Sequence, residues 1–151
     1  MVDSKEAQIF FVGSVITSLV AAILMIATDF GSWYITGWGY GWIEANATIT
    51  GGIIIFIISL FFICFTISII ALIKSDLLPD IVYLIGLYVA ITILILTIIG
   101  ASVFVVEMVK LDPTNWWFGA SFYGALIGSI LTTIFFILAL IKMELSFIPK
   151  F

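Results

Sequence analysis

The chain has 151 residues, 64% of them hydrophobic and 9% charged, with a formal net charge of −4. A soluble domain carries about 25% charged residues, so a mean hydropathy of +1.39 excludes a water-facing globule. Five lysines, no arginine and nine acids also exclude a polybasic surface for nucleic acid or anionic lipid.

Apolar runs at 7–28, 49–73, 81–106 and 118–141 dominate the sequence. At about 1.5 Å per residue each is long enough to cross a hydrocarbon layer of about 30 Å. The expectation is a single four-span membrane domain covering 1–151, with connections at 29–48, 74–80 and 107–117. Residues 1–6 hold two acids and one lysine. A cleavable leader has a basic start and a short apolar stretch, so the full-length first run reads as a retained span.

That first span places Ser14, Ser18 and Ala22, and Thr17 and Ala21, one helical turn apart, with Gly13 beside them. Lipid tails are as apolar as leucine, so spans associate through close backbone approach, which small residues permit. This face is expected to look inward. In the connection 29–48, segments 33–36 and 42–48 are rich in aromatic and β-branched residues, with Gly37, Gly39 and Gly41 between them. That pattern predicts a surface hairpin, turned at the glycines. Asn46-Ala-Thr48 has the form of a glycosylation sequon.

The second span is dominated by isoleucine and phenylalanine and is expected to show more of itself to lipid. Its Cys64 is the only cysteine, so no intrachain disulfide exists. Seven residues, 74–80, join it to the third span, a length suited to antiparallel neighbours. Pro79 interrupts helix there, and Asp80 is placed to cap the next one and favour its dipole. The third span offers Gly86 with Ala90 for close packing. Its end, 104–111, is β-branched and is expected to leave the bilayer as a third strand. The fourth span has Gly124 and Gly128 in GxxxG spacing, with Ser121 and Ala125 beside them.

Lys5, Lys74, Lys142 and Lys150 fall on one side of this topology and Lys110 on the other. The positive-inside rule then puts both termini in the cytoplasm. Connections 29–48 and 107–117 lie outside and hold every tryptophan: Trp33, Trp38, Trp42, Trp116 and Trp117. With no histidine and one cysteine, no ordinary ligand set for haem, copper, zinc or an iron–sulfur cluster exists. No Asp, Glu, Lys or Arg stands in the middle of a span, where proton-coupled transporters carry one. A catalytic site would have to come from Asp29, Glu44, Glu107 and Asp112, which read as scattered solvated carboxylates.

The segment Trp117-Phe-Gly-Ala-Ser-Phe-Tyr-Gly-Ala-Leu126 resembles the start of the last span in claudins, peripheral myelin protein, epithelial membrane proteins and stargazin-like channel regulators. The four-span layout with a longer first outer loop is similar too, and Trp33 with Gly41-Trp42 looks like that family's W…G-L-W element. The family's two loop cysteines have no counterpart here and the first loop is shorter, which leaves pore or junction-strand formation unsupported. The resemblance implies an all-α membrane fold, a left-handed four-helix bundle carrying a small extracellular antiparallel β element, with the loop tryptophans anchoring it.

The expected function is that of a non-enzymatic, claudin-like tetraspan protein of the plasma membrane, acting through lateral or cell-surface protein–protein contacts. Its partners are the lipid bilayer and other membrane proteins or further copies of itself, without cofactor, metal or nucleic acid. Trp38, Tyr40 and Trp116 are expected to contact a partner. Trp33, Trp42, Gly86, Ser121, Gly124 and Gly128 are expected to hold the scaffold. The competing expectation is an accessory structural subunit of a respiratory, monooxygenase or channel assembly.

Overall fold

The computed structural model describes residues 5–37, 39–43 and 49–143. Trp38, Asn46, Glu44 and Lys150 lie outside the described residues. Among those described, four helices are long and apolar enough to cross a membrane: α1 (Lys5–Ala27), α2 (Ile49–Ile73), α3 (Asp80–Leu111) and α4 (Ala120–Lys142). Three short strands join them at one end: β1 (Gly31–Ile35), β2 (Gly39–Ile43) and β3 (Asn115–Phe118). Each helix packs on its neighbours in sequence and α4 closes the ring onto α1. Ala27, Ile49, Leu111 and Ala120 therefore mark the sheet end. At the opposite end Lys142 pairs with Glu6 at 2.6 Å, both side chains being well exposed.

Every helix is apolar on all sides, so hydrophobicity cannot select the inward face. Size and hydrogen bonding select it instead. Ser14, Ser18, Ala21 and Ala22 of α1 are buried, while Ile9, Ile16, Ile23 and Ile26 of the same helix are more than half exposed. Across the α1–α2 seam Ser68 Oγ donates to Ser14 Oγ at 2.8 Å, and across α1–α4 the hydroxyls of Thr17 and Thr132 meet at 2.9 Å. Hydroxyls on the outward faces turn back on their own helices. Ser59, Thr66, Thr92 and Ser102 each donate to the carbonyl four residues earlier, at 3.0, 2.8, 2.8 and 2.9 Å. In hydrocarbon no water replaces such a bond, so every exposed polar group has to find its partner within the helix.

Three expectations need correction. The second span does not show more of itself to lipid: 39% of its apolar window is buried, as in α4, against 28% for α3. Its buried face mixes the small residues Thr50, Gly51, Cys64, Ser68 and Ala71 with Ile54, Ile57, Leu60, Phe61 and Ile67, so bulk alone does not turn a residue towards lipid. Residues 104–111 do not become a strand. They remain helical because Phe104 and Met108, one turn apart, are both buried. The helix stops at Asp112, which adopts the left-handed conformation (φ 48) and donates its N–H to the Met108 carbonyl at 2.9 Å. Pro113 follows, and the third strand is β3 instead. Finally, Asp80 is not the cap of α3. That place falls to Pro79, and Asp80 begins the first turn, where its charge still suits the dipole.

The predicted hairpin is present but sits earlier in the chain. Its strands are β1 and β2, so Gly39 and Gly41 lie within a strand rather than in the turn. Gly37 alone takes a positive φ, of 85°, and makes the bend. The strand order is β2-β1-β3, antiparallel throughout.

Candidate functional site

The sheet is the most chemically varied surface of the chain, and its register sorts the residues into two faces. Trp33 stands opposite Gly41 and Trp116, and Gly31 opposite Ile43 and Phe118. Ser32 stands opposite Trp42 and Trp117, and Tyr34 opposite Tyr40 and Asn115. Alternation along each strand puts the first set on one face and the second on the other.

The first face is packed onto the bundle through Phe104, which is fully buried. Its ring lies 5.4 Å from that of Phe118 and 5.7 Å from that of Trp116. Gly31 is needed because a Cβ there would come within 2.5 Å of the Phe104 ring. Phe118 in turn stacks on Phe122 at 4.2 Å, and Phe30 meets Phe122 edge-on at 5.6 Å. Gly41 lies directly beneath the Trp33 indole, which a β-carbon would overlap. The half-buried Trp33 thus covers a glycine that would otherwise weaken β2.

A backbone clasp fixes the sheet to α1 and α4. The Gly119 N–H donates to the Phe30 carbonyl at 2.9 Å and the Ser121 N–H to the Asp29 carbonyl at 3.2 Å. A Cβ on Gly119 would overlap that Asp29 oxygen. At the far tip, Thr114 Oγ1 accepts from the Thr36 N–H at 3.0 Å and pairs with its hydroxyl at 2.9 Å.

The second face carries Ser32, buried at 8% exposure, in register between positions 42 and 117. Trp117 is 41% exposed beside it, and the half-buried Tyr34 lies in the next row, level with position 40 and Asn115. This face can offer aromatic surface together with hydroxyl and amide groups, a mixture suited to contact at a membrane–water boundary.

Of the residues expected to contact a partner, Tyr40 is in register with Tyr34 and Trp116 with Trp33. Trp116 lies on the inner face against Phe104 and Phe118 while remaining 37% exposed. The Trp33 indole lies over Gly41, and position 42 is in register with Ser32. Gly86, Gly124 and Gly128 all lie in helix seams. A Cβ at Gly86 would overlap Phe136, one at Gly128 would come within 2.5 Å of the Ala21 Cβ, and one at Gly124 within 3.1 Å of the Leu24 Cβ. Ser121 is fully buried, and its hydroxyl has no hydrogen-bond partner among the described residues.

The described carboxylates have separate local roles. Glu107 accepts from Thr50 at 3.5 Å, and Asp112 turns the end of α3. Asp29 holds Ser121 through its carbonyl. Among the described residues no group of three or more His, Cys, Asp and Glu could hold a metal ion. Sequence reasoning missed Phe104 and Gly119, the two residues on which the sheet's placement turns. Gly119 lay within the quoted segment, and the signal was a glycine at the junction of strand and span.

No family model, curated protein or solved structure matches the chain.

Proposed function

We propose that this is a non-enzymatic, claudin-like tetraspan protein of the plasma membrane that works by protein–protein contact through its sheet. Both termini then lie in the cytoplasm, the sheet lies outside, and the four helices form a left-handed bundle. The observation that carries this reading is the two-faced sheet: one face clasped to the bundle by Phe104 and Gly119, the other bearing Trp117 at 41% exposure beside Ser32 and Tyr34. A rigid aromatic surface held clear of the helices suits recognition, because aromatic anchors supply contact area at little entropic cost.

The test separates contact from scaffold. Trp117→Ala should abolish self-association or partner recovery from native membranes in mild detergent, while the helices remain folded by circular dichroism. Trp116→Ala should lower the melting temperature, since its ring packs on Phe104 and Phe118. Association that survives Trp117→Ala and Tyr34→Ala together would refute the reading. Co-migration with one partner at fixed stoichiometry would assign the protein as an accessory subunit. The lightly buried α3, at 28%, favours that second role by leaving a long helix face open to a larger neighbour.

A further inference from the structure

The seam between α1 and α4 is filled along one half of its length and open along the other. Towards the middle Thr17 and Thr132 bridge it, and further from the sheet the Phe135 ring occupies the space above Gly13, where a Cβ would come within 2.7 Å. On the sheet side Leu24 lies against Gly124 and the Ala21 methyl against Gly128, and no ring closes the seam over them. An apolar groove of about 490 Å³ runs there over Ala21, Gly124 and Gly128, between rims formed by Val20, Tyr123 and Ile127.

We propose that this groove seats one hydrocarbon chain of a resident membrane lipid, from the leaflet on the sheet side. The groove opens at Ala120, the first residue of α4, and ends at Leu131. At about 1.5 Å per residue that is ~16 Å, which is one leaflet of a hydrocarbon layer of about 30 Å. A lipid chain ends at the midplane, whereas a spanning helix of a second copy would need a channel running the full thickness. The rims also continue an interface that the fold already has with lipid, since Val20, Tyr123 and Ile127 are 49%, 51% and 56% exposed. Tyr123 brings a phenol to the mouth, where a headgroup sits. The inference needs only that the helices span the bilayer, so it stands or falls apart from the role of the sheet.

Native mass spectrometry of the full chain, stripped of lipid and titrated with dioleoylphosphatidylcholine, tests it. The natural chain should keep one lipid under activation that removes all others. Val20→Trp, which fills the groove from its rim, should lose that lipid. Ile127→Trp should do the same from α4, independently of how α1 tolerates its change. Ile63→Trp, on the lipid-facing side of α2 at 44% exposure, should retain it. Equal retention in the groove variants and Ile63→Trp would overturn the proposal, as would a natural chain that keeps no lipid. A dimer that Val20→Trp converts to monomer would also overturn it, and would give the groove to a second copy.

Discussion

Replacing Gly119 by alanine tests what joins the sheet to the helices. Gly119 has φ −90 and ψ 179, ordinary extended backbone that alanine adopts freely. The substitution therefore adds no conformational strain, and its whole effect is the collision of the new methyl group with the Asp29 carbonyl oxygen. That oxygen is main chain and cannot rotate away. It also accepts the Ser121 N–H, while Gly119 itself donates to Phe30. Relief of the clash must lengthen one of these bonds or shift the start of α4. Overpacking costs about 1–3 kcal/mol and loss of a buried hydrogen bond about the same, so ~2–4 kcal/mol is expected overall. The matched control is Gly52→Ala, where an added Cβ meets nothing within 4 Å and helix propensity favours alanine by up to about 1 kcal/mol. All five tryptophans lie in the connections, so intrinsic fluorescence follows the sheet while circular dichroism follows the helices. Thermal unfolding in detergent should show Gly119→Ala melting on the order of 5–10 °C below the natural chain, with Gly52→Ala level with it or above. Equal midpoints for the two variants would refute the clasp.

Gly128→Ala should destabilise by about 1–3 kcal/mol in the same melts, because its Cβ meets the Ala21 Cβ at 2.5 Å and neither can turn aside. Gly124→Ala should cost less, since Leu24 need yield only a few tenths of an ångström from 3.0 Å, whereas Gly124→Leu should visibly loosen the bundle. A double-mutant cycle on Thr17→Val and Thr132→Val, read by unfolding in mixed micelles, should return a coupling near 0.6 kcal/mol, the usual worth of an interhelical hydrogen bond in a membrane protein. Gly37→Ala should cost about 1–2 kcal/mol through backbone strain alone, because its φ is 85° while a Cβ would meet no neighbour, and fluorescence should report the loss before circular dichroism does.

The spans could be read from sequence because crossing a bilayer is a matter of length and apolarity, and both are written residue by residue. Which side of a span looks inward is written differently. In water the inward face is the apolar one, but here every face is apolar, and the code becomes residue size. Reading Ser14, Ser18 and Ala22 in that code points to the buried face of α1. Reading α2 by its isoleucines and phenylalanines instead misplaced it, because Ile54, Ile57, Phe61 and Ile67 are buried beside Thr50, Cys64, Ser68 and Ala71. The same substitution of one code for another explains α3. A β-branched run such as 104–111 argues for a strand only where the backbone can bond to water or to a neighbouring strand. Continuing a helix satisfies those groups within the segment, so the termination signal that mattered was Asp112-Pro113 and not side-chain branching. The sheet's two faces were the least legible feature, because they depend on a single ring on a distant helix. Phe104 sits under Gly31, Phe118 and Trp116 at once, and no local pattern around any of the four announces the other three. Position 116 therefore reads from sequence as a partner-contact tryptophan, although its ring packs on Phe104 and Phe118. For a chain of this kind the glycines show which aromatics the scaffold uses, and here Gly31 and Gly41 account for Phe104 and Trp33.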